Sequence, residues 1–324
     1  MWTRTGGPNH NWAGEGPRMA SAAGAATSQA RRMFGAVKDV RQGTGTAPLL
    51  LCGRKEPLDE LMLALGGGSS PAAQLFAVRR LVRDDATRLS EAAVVVYGGE
   101  VVSGLDAQTR SDLEVIGRAT APKLAMLEAL DLPSAAVTEA GRVRGVMPSD
   151  LIPYRRGRFP AARAMERLAE KAGPNGPYLA AQLPAFRPHV VDRLIERSAR
   201  TNAKTALIIF VPGADMPVLT ALQMRMVLGI GACYGENVST DRAVELLSVL
   251  GAGFGFRAVA RELLDLVPVA GWAVKSAIAY SATKALGRAA DEYFAHGAVA
   301  DVSHLRALAE GVRAEVLEMI RKRR

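Results

Sequence analysis

The sequence predicts an α/β amino-terminal domain with a parallel sheet, followed by an all-α carboxyl-terminal domain. Over residues 29–173, short apolar runs that end at glycine alternate with helical patterns, which is typical of a parallel sheet covered by helices. From residue 190 onward every clear pattern is helical. The length of 324 residues also favours two domains, since single domains usually contain roughly 100–200 residues.

The composition favours helices and a reducing compartment. Apolar residues make up 49% of the chain and aromatic residues 5%, so the apolar content is mostly Ala, Leu, Val and Met. Cys52 and Cys233 lie in apolar runs without a CxxC neighbour, which indicates buried thiols rather than disulfides. The net charge of +9 favours acidic partners, although a compositional bias of the source genome explains it equally well.

Short apolar runs mark the predicted strands of the first half. Residues 48–52 and 92–97 are strand candidates that end at glycine, and residues 142–147 are a weaker one. Residues 123–130 fit either a strand or a helix. The helical patterns of this half cover residues 31–40, 58–65, 106–119 and 161–172.

Prolines and glycines divide the second half. Residues 174–188 contain several prolines, which indicate a linker or a bent connection. Helices are predicted from the N-cap Asp215 to about residue 234 and over residues 272–294. The predicted organisation is a disordered segment (1–28), an α/β domain (29–173), a linker with a basic amphipathic helix (174–204), a helical domain (205–297) and a terminal amphipathic helix with a basic tail (298–324).

One face of the predicted helix after residue 190 is basic. It carries Arg193, Arg197, Arg200 and Lys204 at helical spacing. Such a face can rest on anionic lipid, where each basic residue contributes on the order of 1 kcal/mol, or it can contact a protein partner. A solvated helix face is the other interpretation, because every surface helix has a polar side.

No segment has the pattern of a clean membrane span. A spanning helix needs about 20 mostly apolar residues. Residues 205–235 are apolar, but Pro212 and Gly213 divide them and Arg225 lies near the middle of the second part. A buried helical hairpin or an interfacial helix fits this pattern better. We expect a compact helical domain, with membrane-surface association and true insertion as the alternatives.

Several spaced motifs of the carboxyl-terminal third resemble those of a known family. They occupy residues 211–220, 223–227, 232–235, 249–257 and 268–275. This pattern is similar to the YcjF-like family of unknown function, bacterial proteins that are rich in glycine in this region. The resemblance implies a domain that is often attached to a GTPase-like domain and often associated with the inner membrane.

The resemblance leads to a comparison of the first half with a Ras-like GTPase. Gly53 stands where a phosphate loop would begin, after the first strand candidate. The second glycine, the lysine and the Ser/Thr of GxxxxGK[ST] are replaced by Leu58, Asp59 and Glu60, and two carboxylates there would repel phosphate. Only Asp131 remains of the guanine-reading NKxD motif. We therefore expect a degenerate GTPase-like domain that binds no nucleotide; the alternative is an unrelated α/β domain.

Four residues of the helical domain are interpreted as structural. Gly251 and Gly255 lie one turn apart and favour close helix packing over a dinucleotide loop, because the acidic residue that such a loop requires is absent. We expect Arg225, in an apolar helix, to pair with a carboxylate such as Asp215 or Asp265, since an unpaired buried charge is costly.

The remaining motifs point away from catalysis. The histidine spacings fit no metal site, no GxSxG motif is present, and no helix-turn-helix, zinc or aromatic RNA-binding pattern occurs. We expect no enzyme activity, no cofactor and no specific nucleic acid. The predicted function is a non-enzymatic pseudo-GTPase scaffold in the cytoplasm, peripherally bound to or partly inserted in the inner membrane. Its partner would be the membrane surface, a protein or a second copy. A GTPase with a divergent loop and a soluble assembly protein are the alternatives.

Overall fold

The computed structural model describes residues 45–66, 76–79, 89–101, 104–129, 134–208, 216–236 and 272–296, together with residues 310, 311, 314 and 318. The predicted disordered segment 1–28, the helix over residues 31–40 and most of the terminal segment 298–324 lie outside the described residues.

Five strands form one parallel sheet in the first half of the chain. They are β1 (Leu49–Gly53), β2 (Phe76–Arg79), β3 (Val94–Val101), β4 (Lys123–Ala129) and β5 (Leu151–Arg155). Their order across the sheet is β2-β1-β3-β4-β5, and all neighbouring pairs are parallel. The predicted parallel sheet is confirmed, and residues 123–129 form a strand rather than a helix.

The predicted strand over residues 142–147 is wrong. These residues form turns, and the fifth strand begins at Leu151 instead. Val143 and Val146 are buried because the turn packs against the sheet, so their apolar character reflects tertiary packing rather than a strand pattern. The real strand contains Pro153, which disguises it, but proline is tolerated because β5 is an edge strand.

Among the described residues, four helices accompany the strands: α1 (Lys55–Gly66), α2 (Ala107–Arg118), α3 (Ser134–Ala140) and α4 (Ala161–Ala172). The start of α2 is fixed by Asp106, whose Oδ1 accepts a hydrogen bond of 2.6 Å from the backbone N–H of Thr109. Such N-caps typically contribute about 1 kcal/mol to helix stability. The predicted helices over 58–65, 106–119 and 161–172 are confirmed.

The second half is helical in every described segment. It contains α5 (Gly176–Gln182), α6 (Arg187–Ile208), α7 (Met216–Cys233) and α8 (Trp272–His296). The all-α prediction for this half is confirmed. The expected linker over residues 174–188 instead includes α5, and Leu179 and Phe186 are completely buried. Pro174, Pro177 and Pro188 lie in the first turns of helices, where the missing N–H costs little, and Pro184 lies in the turn between α5 and α6.

The two faces of the sheet have different coverings. Leu50 and Cys52 point to one face, in a hydrophobic cluster that includes Leu113 and Ile116 of α2. Leu49 and Leu51 point to the other face, where the cluster continues without a break into the helices of the second half. The sheet and the carboxyl-terminal helices therefore share one core.

Polar contacts tie α6 to α8 within the helical half. The side-chain amide of buried Asn202 donates to the hydroxyl of Thr283 at 2.8 Å. The hydroxyl of Tyr280 donates to the carboxylate of Glu196 at 2.8 Å. Over the described residues, no helix is both long enough and apolar enough to span a bilayer.

Candidate site at the carboxyl edge of the sheet

The order of the strands places a crevice between β1 and β3. The chain passes from β1 to β2 on one side and then continues with β3 on the other side of β1. In open parallel sheets, ligands bind outside the carboxyl ends of the strands at such a reversal. A ligand site is therefore expected among the residues at the carboxyl ends of β1 and β3.

The turn that leaves β1 is unusually tight. Gly53 ends the strand and Lys55 begins α1, so Arg54 alone connects the two elements. The backbone N–H of Arg54 donates to the carbonyl of Gly98 on β3 at 2.7 Å. Gly53 has a φ of +102°, and a Cβ atom there would lie 2.2 Å from the same carbonyl oxygen. Only glycine fits this position, because both its conformation and its space exclude a side chain.

The first turns of α1 lie where a Ras-like GTPase would have its phosphate loop. Leu58 is buried in the core beneath the sheet, and Asp59 and Glu60 are exposed on the helix. Pro57 lies against Gly98, since its Cβ is 3.2 Å from where a side chain of that glycine would begin. Leu58 and Pro57 depart from the phosphate-loop motif because both pack against the sheet and its core.

Ion pairs close the edge of the sheet. Arg54 and Arg156 both pair with Glu100, and Arg156 also approaches Glu128 at 3.8 Å. We call these four residues the sheet-edge network. The Glu100 and Glu128 side chains are only 19% and 12% exposed, so both carboxylates are largely shielded from water.

The sheet-edge network joins the ends of four strands. Arg54 follows β1, Glu100 belongs to β3, Glu128 to β4, and Arg156 follows β5. Each of its arginines is about half exposed or less, so each pair contributes modestly, about 1 kcal/mol or less. Its geometric effect is larger, because it links side chains from the ends of four strands at this edge of the sheet.

Two side chains beneath this edge, the thiol of Cys52 and the phenol of Tyr97, are buried and keep their protons. Burial raises the pKa of the Cys52 thiol far above its ordinary value, and its Sγ donates to the carbonyl of Val96 at 3.4 Å. Burial also raises the pKa of Tyr97, whose hydroxyl donates to Asp112 at 3.1 Å. Both groups are therefore neutral at physiological pH. In the described part of the chain, no three His, Cys, Asp or Glu side chains are grouped as a metal would require.

The basic face predicted on α6 exists as an exposed surface. Arg193, Arg197, Arg200 and Lys204 are all exposed. Arg193 pairs with Glu170 of α4 at 3.3 Å, and Arg200 pairs with Glu196 at 2.6 Å. The positive charge of this face is thus partly neutralised. The carboxylates that pair with it, Glu170 and Glu196, do not belong to the sheet-edge network.

Of the four residues interpreted as structural, the structure describes only Arg225. Arg225 is exposed on α7, and its expected pairing with a carboxylate such as Asp215 or Asp265 stays a prediction. The apolar residues around it pack on the other sides of the helix. Asp215, Gly251, Gly255, Asp265 and Asp131 lie outside the described residues.

Sequence reasoning missed the close approach at Gly287. A Cβ atom there would lie 2.6 Å from Cγ1 of Ile195, so α8 contacts α6 directly through this glycine. It also missed Arg54, Glu100 and Arg156, which come from three separate segments. The only local signal for them is a charged residue immediately after or near the end of an apolar run.

One comparison with known proteins identifies part of the chain. Residues 179–312 match a family described as a domain of unknown function, DUF697. This supports a helical carboxyl-terminal domain of unknown function, and the match includes α6, α7 and α8. No curated protein and no solved structure matches the chain. The YcjF-like resemblance and the GTPase-like interpretation of residues 29–173 stay predictions.

Proposed function

We propose that this protein is a non-enzymatic scaffold, in which a GTPase-like α/β domain without a phosphate site carries a helical domain to the cytoplasmic surface of a membrane. The observation that carries the proposal is the turn after β1. It consists of Arg54 alone, and the side chain of Arg54 is paired with Glu100.

The geometry of this turn argues against phosphate binding. A phosphate loop surrounds the anion with several backbone N–H groups and a lysine. Here α1 begins directly after Arg54, carries Glu56 in its first turn, and has Pro57, which lacks an N–H. A carboxylate at the amino terminus of a helix takes the place that a phosphate would use. The start of α1 thus offers neither the glycine-rich loop nor the lysine of a phosphate-binding motif, and this supports the proposal.

The exposed face of α6 supports the membrane part of the proposal. Arg197 and Lys204 are exposed and have no carboxylate within ion-pair distance among the described residues. Two such cations near an anionic bilayer would contribute roughly 2 kcal/mol. The face is polar rather than apolar, so we propose contact with the lipid headgroups rather than insertion.

Calorimetry with GTP and GDP in the presence of magnesium tests the first part. We expect no binding heat from the full chain, because the turn after β1 consists of Arg54 alone and lacks a phosphate loop. Binding in the micromolar range would overturn the pseudo-GTPase interpretation and favour a GTPase with a divergent loop.

Vesicle sedimentation tests the second part. The full chain should sediment with phosphatidylserine vesicles and not with neutral phosphatidylcholine vesicles. The variant R197E/K204E should bind at least about tenfold more weakly, since both attractions become repulsions. The control R155E/R158E makes the same change in charge at exposed arginines next to β5. The membrane proposal fails if the unmodified chain stays in the supernatant or if both variants weaken binding equally.

A further inference from the structure

A charged groove lies on the face of the sheet opposite to α6. It has a volume of about 590 Å³ and is formed by α2 and the turn after α3. Its charged lining consists of Arg110, Glu114, Arg118, Glu139, Arg142 and Arg144. We call it the arginine groove. Leu113 and Ile116 anchor α2 on one face of the sheet, while Val191 and Ile195 anchor α6 on the other.

Among the described residues, three guanidinium groups of the arginine groove have no anionic partner. Arg110 pairs with Glu139, which also accepts the backbone N–H of Leu105 at 3.2 Å. Arg118, Arg142 and Arg144 are exposed, and no carboxylate of the described residues lies within 4.0 Å of them. The groove therefore presents positive charge that no described residue neutralises.

The walls of the groove are held in fixed positions. Gly117 and Gly145 touch, since a Cβ atom on Gly117 would lie 2.1 Å from the carbonyl oxygen of Arg144. The amino group of Lys123 donates to the carbonyls of Ala119 at 2.8 Å and Gly145 at 3.2 Å. The end of α2 is thereby tied to the turn that carries Arg142 and Arg144. The backbone of these arginines is arranged in advance, which lowers the entropic cost of binding.

We propose that the arginine groove binds a carboxylate-rich segment of a partner protein. A guanidinium group matches a carboxylate with two parallel hydrogen bonds, and such charge-assisted bonds are the strong ones. Along α2, Arg110, Glu114 and Arg118 recur every four residues on one face, so the charge alternates in sign. A peptide that contains acidic residues with an occasional basic one can match this alternation.

Other anionic ligands fit the groove less well. A nucleic acid would meet Glu114 and Glu139 along its phosphate backbone, and none of the described residues that line the groove is aromatic and could stack on a base. A lipid would find Val143 as the one apolar side chain among the described lining residues, and Val143 is itself buried. The groove also faces away from α6, so it stays accessible while α6 contacts another surface. The proposal is independent of the membrane part of the proposed function.

Fluorescence anisotropy with a labelled oligoglutamate peptide tests the proposal on the full chain. We expect saturable binding that weakens as salt is added, since the contacts are between exposed charges. The variant R118E/R142E/R144E should bind at least about tenfold more weakly. The control R155E/R158E/R163E makes the same change in charge at exposed arginines outside the groove and should bind within about twofold of the unmodified chain.

Competition identifies the class of ligand. Unlabelled oligoglutamate should displace the probe at lower concentrations than single-stranded DNA, polyphosphate or phosphatidylserine vesicles do. The proposal is overturned if one of these competes better, if the peptide does not bind, or if both triple variants weaken binding equally. Circular dichroism checks that each variant is folded. If the reversed-charge variant is not, R118Q/R142Q/R144Q takes its place in the same comparison.

Discussion

At the scale of single residues, the turn after β1 depends on a glycine. Gly53 has a φ of +102° and lies against the carbonyl of Gly98. Both the backbone conformation and the lack of space therefore exclude a side chain at this position. Gly157 also has a positive φ, +71°, but among the described residues no atom beyond its chain neighbours lies within 4 Å of where its Cβ would be. The pair separates the cost of backbone conformation from the cost of a steric clash.

We expect Gly53→Ala to lower the free energy of unfolding by about 3 kcal/mol, because it adds a clash to an unfavourable φ. Gly157→Ala should cost only about 1 kcal/mol, since it imposes the unfavourable φ alone. Urea denaturation of both variants and the unmodified chain measures the difference. Equal losses would show that the backbone of β3 moves away from the new methyl group.

At the scale of elements, the junction between α5 and α6 joins the two halves of the chain. Phe186 is fully buried there and belongs to the same hydrophobic cluster as Leu51 of β1 and Ile195 of α6. Sequence patterns predicted α6 and α4 well, because each has a strong helical period. They failed at α5, where prolines at helix starts look like a linker until their positions in the helices are known.

Phe186→Ala should reduce the free energy of unfolding by about 3–5 kcal/mol, as expected when a buried phenyl ring leaves a cavity. The control Leu63→Ala removes a side chain of α1 that is 65% exposed and should cost less than about 0.5 kcal/mol. Thermal denaturation followed by circular dichroism compares them. A small effect at Phe186 would mean that the shared core is less continuous than the structure shows.

At the scale of the whole molecule, buried tyrosine hydroxyls and cysteine thiols lie in both halves of the shared core. Burial raises the pKa of Tyr97 and Tyr154 in the sheet above the ordinary value of 10.0. It raises the pKa of the Cys233 thiol in α7 to about 12, from an ordinary 9.0. All of these groups are neutral in the folded and in the unfolded protein at neutral pH, so they give its stability no pH dependence there.

These groups predict a loss of stability at alkaline pH. Because their pKa values are higher in the folded state, their stabilising effect is complete below about pH 9 and is lost as the pH rises from about 9 to 12. The melting temperature should therefore fall over this interval. In Cys233→Ala the fall should be smaller, because one of the groups no longer titrates. An unchanged pH profile for this variant would show that the thiol makes no contribution.

The sequence by itself determined the alternation of strands and helices, the break at Gly53 and the burial of both cysteines. These features are encoded locally, by apolar periodicity and by residues with special backbone preferences. Only the tertiary structure decided that Arg54, Glu100 and Arg156 meet at the edge of the sheet, and that the arginines of α2 face those of the turn after α3. The order of strands in a parallel sheet brings together residues that are far apart in the chain, and no local pattern records which ones will meet.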